Sequence, residues 1–296
     1  MCATKKTVNR RHAFTLIEML VVIGIILVIA ALAAAFAPRV SDSQNLTRAV
    51  DNLEQWLLTA KMRAKRDQLA TGIRLVQLPG DAAGNFSQVQ YIQQPDPLSG
   101  APGGGFIQSA GGGTVMFGNV DFTMGGNALL VQPGDYLEVR GGGVYQIGNV
   151  TGPSSLQLSN PTPGSYDSNL TITTATTNYR ILRQGRILIG EAPVNLPNNF
   201  AIDFNVIPGT SVAGSNAVAN PSGTAIDILF SPTGAVVGTN AGSGKVYLYV
   251  HDITQADPNI AGIVGIQCRT GFIGAYSVAP GGDPFAFAES GRESGL

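Results

Sequence analysis

Residues 14–37 form an apolar run of 24 residues whose single ionisable side chain is Glu18 and whose single glycine is Gly24. As a helix it would be roughly 36 Å long, enough to cross a hydrocarbon core of about 30 Å. Lys5, Lys6, Arg10 and Arg11 precede it with no acid among residues 1–13, and Pro38 ends it. The four cations before the run and their absence within it orient the N-terminus to the cytoplasm and the rest of the chain outside. The segment is therefore a single-pass anchor or a cleaved export signal. A secretory signal has a shorter apolar region and a small-residue cleavage site. Here Ala35-Phe36-Ala37 has the small-x-small pattern, but Pro38 would follow the cut. A twin-arginine signal could use Arg10-Arg11, although the run is more hydrophobic than that route prefers. Neither reading gives a reason for an acid four residues beyond the start of the run. Such a group costs about 2.5–3.5 kcal/mol at the centre of a membrane helix, less near its end, and usually has a partner.

The stretch Arg10-Arg11-His12-Ala13-Phe14-Thr15-Leu16-Ile17-Glu18 resembles the prepilin motif of type IV pilins and type II secretion pseudopilins. The resemblance implies that a prepilin peptidase cuts between Ala13 and Phe14, that Phe14 is then N-methylated, and that Glu18 becomes the fifth residue of the mature chain. The family usually has glycine before the cut; Ala13 departs from it but keeps the small size. The family also implies a partner for Glu18, the new α-amino group of Phe14 on a neighbouring subunit. Opposite charges in a low-dielectric setting offset each other's desolvation, which agrees with that pairing.

Removal of residues 1–13 takes 18 Lys+Arg to 14 against 19 Asp+Glu, a formal charge of −5 over 283 residues. Cys2 and His12 leave as well, so Cys268 and His251 are the one cysteine and one histidine that remain. No intramolecular disulfide is then available, despite an oxidising compartment. Clustered His/Cys zinc sites lack ligands, and a net charge of −1 on the full chain gives no basic footprint for nucleic acid. No G-x-S-x-G motif is present to accompany His251, so a serine hydrolase is not expected. Cys268 reads as a core residue in a strand. Gly242-Ser243-Gly244-Lys245 has Val246 where a phosphate loop needs a hydroxyl, so it reads as a hairpin turn and no nucleotide is expected. The chain is not expected to be an enzyme or to hold a cofactor.

Beyond Pro38, Leu46, Val50, Leu53, Leu57, Ala60 and Ala64 recur at spacings of four and three, which predicts an amphipathic helix over 38–69 with one face on a sheet. If Pro38 breaks the chain, Asp42 or Ser43 would cap its start. From Thr71 the pattern changes to period two. Strands are expected over 73–78, 89–92, 129–132, 136–140, 144–150, 155–158, 170–174, 179–182, 187–189, 201–206, 225–230, 245–250 and 263–268. Runs of glycine at 103–105, 111–113 and 141–143 read as loops and turns. Residues 280–296 read as a flexible tail.

Asn52-Leu53 through Leu57, Ala60, Arg63, Ala64 and the following strand are similar to the helix-to-strand passage of H-type minor pseudopilins and FimT-like pilins. Leu196-Pro197 before Ala201-Ile202-Asp203-Phe204, the turn Phe230-Ser231-Pro232-Thr233-Gly234 and the closing Ile266-Gln267-Cys268-Arg269-Thr270-Gly271 are similar to that family's later signals. The implied fold is α+β: a long N-terminal helix, membrane half plus amphipathic half, packed on an antiparallel β-sheet. The pilin-like β-domain would comprise 70–94 and 187–279. Residues 95–186 would be an inserted Gly-rich β block that matches no named module.

Arg180, Arg183 and Arg186 form a cationic cluster that could grip an acidic partner or, as in some FimT-like pilins, DNA. From residue 75 onward, however, 7 basic groups face 14 acidic ones, so DNA is not expected as a partner and a solvated face competes as the explanation. Asp252, Asp257 and Asn259 supply oxygens of the type that major pseudopilins offer calcium in a late loop, at a spacing that fits no strict calcium motif. The expected function is a pilin-like structural subunit of a type II secretion pseudopilus or type IV pilus-like filament. Its partners would be other pilin or pseudopilin subunits, prepilin peptidase and an inner-membrane assembly platform. It would cross the inner membrane once, with the β-domain periplasmic or extracellular. The alternative is an exported or membrane-anchored surface module that binds glycan, protein or DNA through the inserted block. Such a module, released by signal peptidase, would begin near Pro38.

Overall fold

The computed structural model describes residues 16–99, 106–111, 113–118, 121–122, 130–139, 143–159, 179–197, 199–204, 225–238, 244–254, 261–280 and 283–291. The fold is α+β, with one long N-terminal helix followed by antiparallel sheets. The first helix, α1, runs unbroken over Leu16–Asp67, 52 residues, or about 78 Å. It passes through Pro38, so no second helix starts at Asp42 or Ser43. A proline inside a helix forfeits one backbone hydrogen bond and crowds the preceding turn. Strong helical periodicity on both sides outweighs that local penalty here. The helix ends where Gln68 turns to φ +56°, a left-handed residue of the kind that closes helices.

The predicted stripe is the buried one. Ala49, Val50, Leu53, Leu57, Ala60 and Ala64 are fully buried, and Leu46 nearly so. They lie on two sheets that share one core with the helix. The first has the strand order Arg186–Ile187, Gln88–Gln93, Thr71–Val76, Ala225–Phe230, Val236–Val237, with Val194–Asn195 also paired to Gln88–Gln93. The second has the order Phe272–Ser277, Ala261–Gln267, Lys245–Asp252, Phe200–Asp203, Asn85–Phe86. Sequence reasoning expected a single sheet. The helix instead covers both, because alternating residues such as Ile73, Ile228, Leu248 and Val264 from either sheet point at it.

Strand Thr71–Val76 sits in the middle of the first sheet, with Gly72 opposite Leu229. A Cβ on Gly72 would lie 1.9 Å from the Ile228 carbonyl oxygen. Close backbone approach is what requires glycine there.

A third sheet is built from chain between residues 98 and 182. Its order is Leu98–Ser99, Tyr179–Leu182, Tyr136–Val139, Gly143–Gly152, Ser155–Leu158, Thr114–Gly118, Phe106–Gly111. It has its own core, including Ile107, Phe117, Phe122, Leu137, Ile147 and Ile181, with Phe117 edge-on to Phe122 and Tyr179 at 4.8 and 5.2 Å. The hairpin Phe106–Gly111 to Thr114–Gly118 was not foreseen, since its flanking glycines read only as loop; Gly113 at φ +79° makes its turn.

Several expectations are corrected. Residues 130–132 are not a strand: the Leu130 amide donates to the Phe122 carbonyl (3.0 Å) and the Gln132 amide to Asp135 Oδ2 (2.9 Å), so turn contacts take the bonds a ladder would use. Residues 188 and 189 leave the strand Arg186–Ile187 for a turn closed at Gly190, φ +92°. The strand Phe272–Ser277 is not among the expected strands although it alternates, because it follows directly on the Thr270-Gly271 turn that closes the sequence signals. Part of the expected tail is folded. Phe285 is fully buried against Tyr247 and Tyr249, with ring centroids at 5.6 and 6.0 Å, ahead of a short helix α2, Ala286–Ser290. One buried phenylalanine contributes about 1.5–3 kcal/mol, sufficient to fix a short segment. The strand expected at 170–174 lies outside the described residues.

Candidate assembly helix

The two halves of α1 differ in what they touch. Every described side chain from position 16 to 31 is exposed, including Leu16 at 84% and Ile29 at 60%. Glu18 sits in the first turn of this apolar surface. Ala13 and Phe14, the expected cleavage pair, lie outside the described residues. Among the described residues no helix is long and apolar enough to cross a membrane. An apolar surface of this extent on a single chain marks a place where lipid or another protein is needed.

The second half is held by its own β-domain. Lys61 Nζ donates to the Gly271 carbonyl at 2.6 Å. Arg63 pairs with Glu191 at 2.7 Å and lies over the Tyr91 ring, 4.5 Å from its centroid. The two late turns meet under this helix: a Cβ on Gly271, at φ +61°, would lie 1.8 Å from the Gly234 carbonyl oxygen. The Val236 amide donates to the Cys268 carbonyl at 2.8 Å, locking one turn to the other. Turn glycines far apart in the chain thus form one contact that seats the helix.

The arginine cluster is engaged inside the chain. Arg180 pairs with Glu138, its register partner on the neighbouring strand. Arg183 donates twice to the Asp96 carbonyl, at 3.0 and 2.7 Å, and desolvation followed by the nearby Arg186 charge pushes its guanidinium pKa down. Arg186 meets Asp135 Oδ2 at 2.6 Å and also bonds Gln132. Asp135 is the residue that sequence reasoning missed: it is fully buried, and its second oxygen accepts the Gln184 amide at 2.8 Å. Only its place in a Pro133-Gly134-Asp135 turn hinted at a role, since such side chains bond nearby backbone. Arg186 and Asp135 thereby tie the third sheet to the first. Beside them Arg74 grips Asp227 with two bonds, 2.6 and 2.7 Å, across the pair Thr71–Val76 and Ala225–Phe230. A cleft of about 440 Å³ between the sheets is lined by Arg74, Gln132, Gln184 and Arg186, and each arginine in it already faces a carboxylate.

Cys268 is buried just past the end of strand Ala261–Gln267, and burial pushes its thiol pKa up. That is the setting of an inert core thiol. Asp252 is buried and accepts the Thr254 amide and hydroxyl at 2.8 and 2.6 Å; Asp257 and Asn259 lie outside the described residues. Among the described residues no three His, Cys, Asp or Glu side chains cluster as a metal site. His251 stands on the outer face of the second sheet, its Nε2 3.6 Å from Asp203 Oδ2.

Residues 8–34 match the family model of the prokaryotic N-terminal methylation motif. No curated protein and no solved structure matches the chain. The motif family is structural, and its members are processed, membrane-anchored subunits that assemble with other pilins. The methylation motif, opening into a long helix whose second half is seated on antiparallel sheets, supports a place for this chain among the type IV pilins and pseudopilins.

Proposed function

We propose that the chain is a structural subunit of a type II secretion pseudopilus or type IV pilus-like filament. It is cut between Ala13 and Phe14 by prepilin peptidase, N-methylated on Phe14, and held in the inner membrane by residues 14–37 until an assembly platform inserts it. The observation that carries this reading is the apolar half-helix, exposed throughout its described length while the other half buries its apolar face against the sheets. In the membrane that surface faces lipid; in a filament it packs against the same surface of neighbouring subunits. The one acid on it, Glu18, then neutralises the α-amino group of Phe14 on the next subunit and sets the register. The β-domain, periplasmic before assembly, coats the outside.

Glu18→Ala tests this reading. The variant should be cleaved and inserted as the wild type is, and drop at least tenfold in sheared filament fractions, whereas Glu18→Asp should restore part of the yield. Wild-type incorporation of Glu18→Ala refutes the charge pairing. A second reading, an exported surface module, draws its support from the third sheet, which has a core of its own. It requires release near Pro38, at a point where α1 is continuous.

A further inference from the structure

We propose that Asp203, His251 and Asn85 form a binding site for a first-row divalent cation of the zinc type, on the face of the second sheet turned away from α1. The strand Phe200–Asp203 lies between Lys245–Asp252 and Asn85–Phe86. Asp203 is directly opposite Tyr249 on one side and Asn85 on the other, and Ala201 is opposite His251. Cross-strand partners share a face and so do residues two apart. Asn85, Asp203, Tyr249 and His251 are therefore neighbours on one surface, while Ile202, Leu248 and Val250 point the other way, into the core under the helix. The ring of Tyr249 flanks His251 at a centroid distance of 5.7 Å.

Two polar atoms of this group are buried without a hydrogen-bond partner among the described residues, His251 Nε2 and Asn85 Oδ1. Asn85 is itself only 9% exposed. Buried polar atoms nearly always have a partner, and each exception calls for one. Asn85 Oδ1 and the Asp203 carboxylate are acceptors, and so is an imidazole nitrogen that carries no proton. The register seats Asn85 opposite Asp203 and brings the Asp203 carboxylate near the His251 imidazole, and a cation bound among these acceptors would give the two orphaned atoms a partner. The spacing agrees: 3.6 Å between His251 Nε2 and Asp203 Oδ2 is too long for a hydrogen bond. Two donors held at about 2.0–2.1 Å by one tetrahedral ion are about 3.4 Å apart. One imidazole, one carboxylate and one amide oxygen suit zinc, cobalt or nickel, whereas calcium takes six to eight oxygens. The His251 and Asp203 side chains remain 23% and 14% exposed, so the site lies close to the surface and water would supply a fourth ligand. Bound there, the ion ties the two-residue strand Asn85–Phe86 to the edge of the sheet. The proposal is independent of how the N-terminus is processed.

The test uses the full chain in detergent, without a polyhistidine tag, stripped with chelator and titrated with zinc chloride by calorimetry. Cobalt absorbance supplies a second readout. One ion should bind per chain. Asp203→Asn and His251→Gln should each weaken binding at least tenfold, and Asn85→Asp, which adds a carboxylate, should tighten it. Binding should also weaken as the pH is lowered, because a ligand nitrogen must be unprotonated to hold a metal. The gain in Asn85→Asp keeps the test informative if either loss variant folds poorly. Absence of zinc and cobalt uptake, or uptake unchanged in all three variants, overturns the proposal.

Discussion

One helix serves two environments. Over 46–64 its apolar stripe is one-sided and buried against two sheets of the same chain. Over 16–31 it is apolar all round and exposed all round. A one-sided stripe needs one partner surface, which the β-domain supplies. An all-round apolar surface needs surroundings on every side, and a single folded domain has none to offer. The contrast separates what keeps this chain folded from what lets it assemble: the first depends on the second half of α1 and the sheets, the second on the first half.

The largest expected effect is at the sheet on which the folded half rests. Gly72→Val would drive a side chain into the Ile228 carbonyl and should cost more than about 4 kcal/mol, enough to leave the β-domain unfolded by circular dichroism. Next comes a matched pair on the helix. Leu53, fully buried, should lose about 2–5 kcal/mol on change to alanine in chemical denaturation. Ile26, 58% exposed, should leave that denaturation midpoint unchanged on the same substitution and lower filament yield instead. Equal loss of stability in both would dissolve the contrast.

A smaller effect is expected where the third sheet joins the first. Asp135→Ala strands the half-buried Arg186 and two backbone amides and should cost about 2–4 kcal/mol. Arg180→Ala removes only an exposed pair, with side chains 54% and 32% exposed, and should cost less than about 1 kcal/mol in the same assay. Similar costs for the two would mean that Asp135 is not the tie between the sheets.

The helix stripe and most strands of the body were legible because their periodicity is local: Leu46 to Ala64 repeat at helical spacing, and Ala225–Phe230 alternates. Elements whose signal is non-local were not. The meeting of Gly234 with Gly271 depends on two turns brought together by strand pairing. The helix through Pro38 depends on the residues around the proline more than on the proline itself. The arginines at 180, 183 and 186 read as one cluster along the chain. Their partners, Glu138, the Asp96 carbonyl and Asp135, come from distant segments, so no local pattern reveals them. The same holds for His251, whose neighbours Asp203 and Asn85 arrive on two other strands. Glu18 was the exception: a single acid in an apolar run stands out by sequence alone.

The central claim, that the exposed half of α1 is kept in the working protein as an assembly element, is tested most directly by mass spectrometry of the native N-terminus after extraction from membranes. A chain that begins at N-methylated Phe14 retains the whole apolar half-helix with Glu18 as its fifth residue, which is the result predicted. A chain that begins near Pro38 has lost that half and contradicts the account.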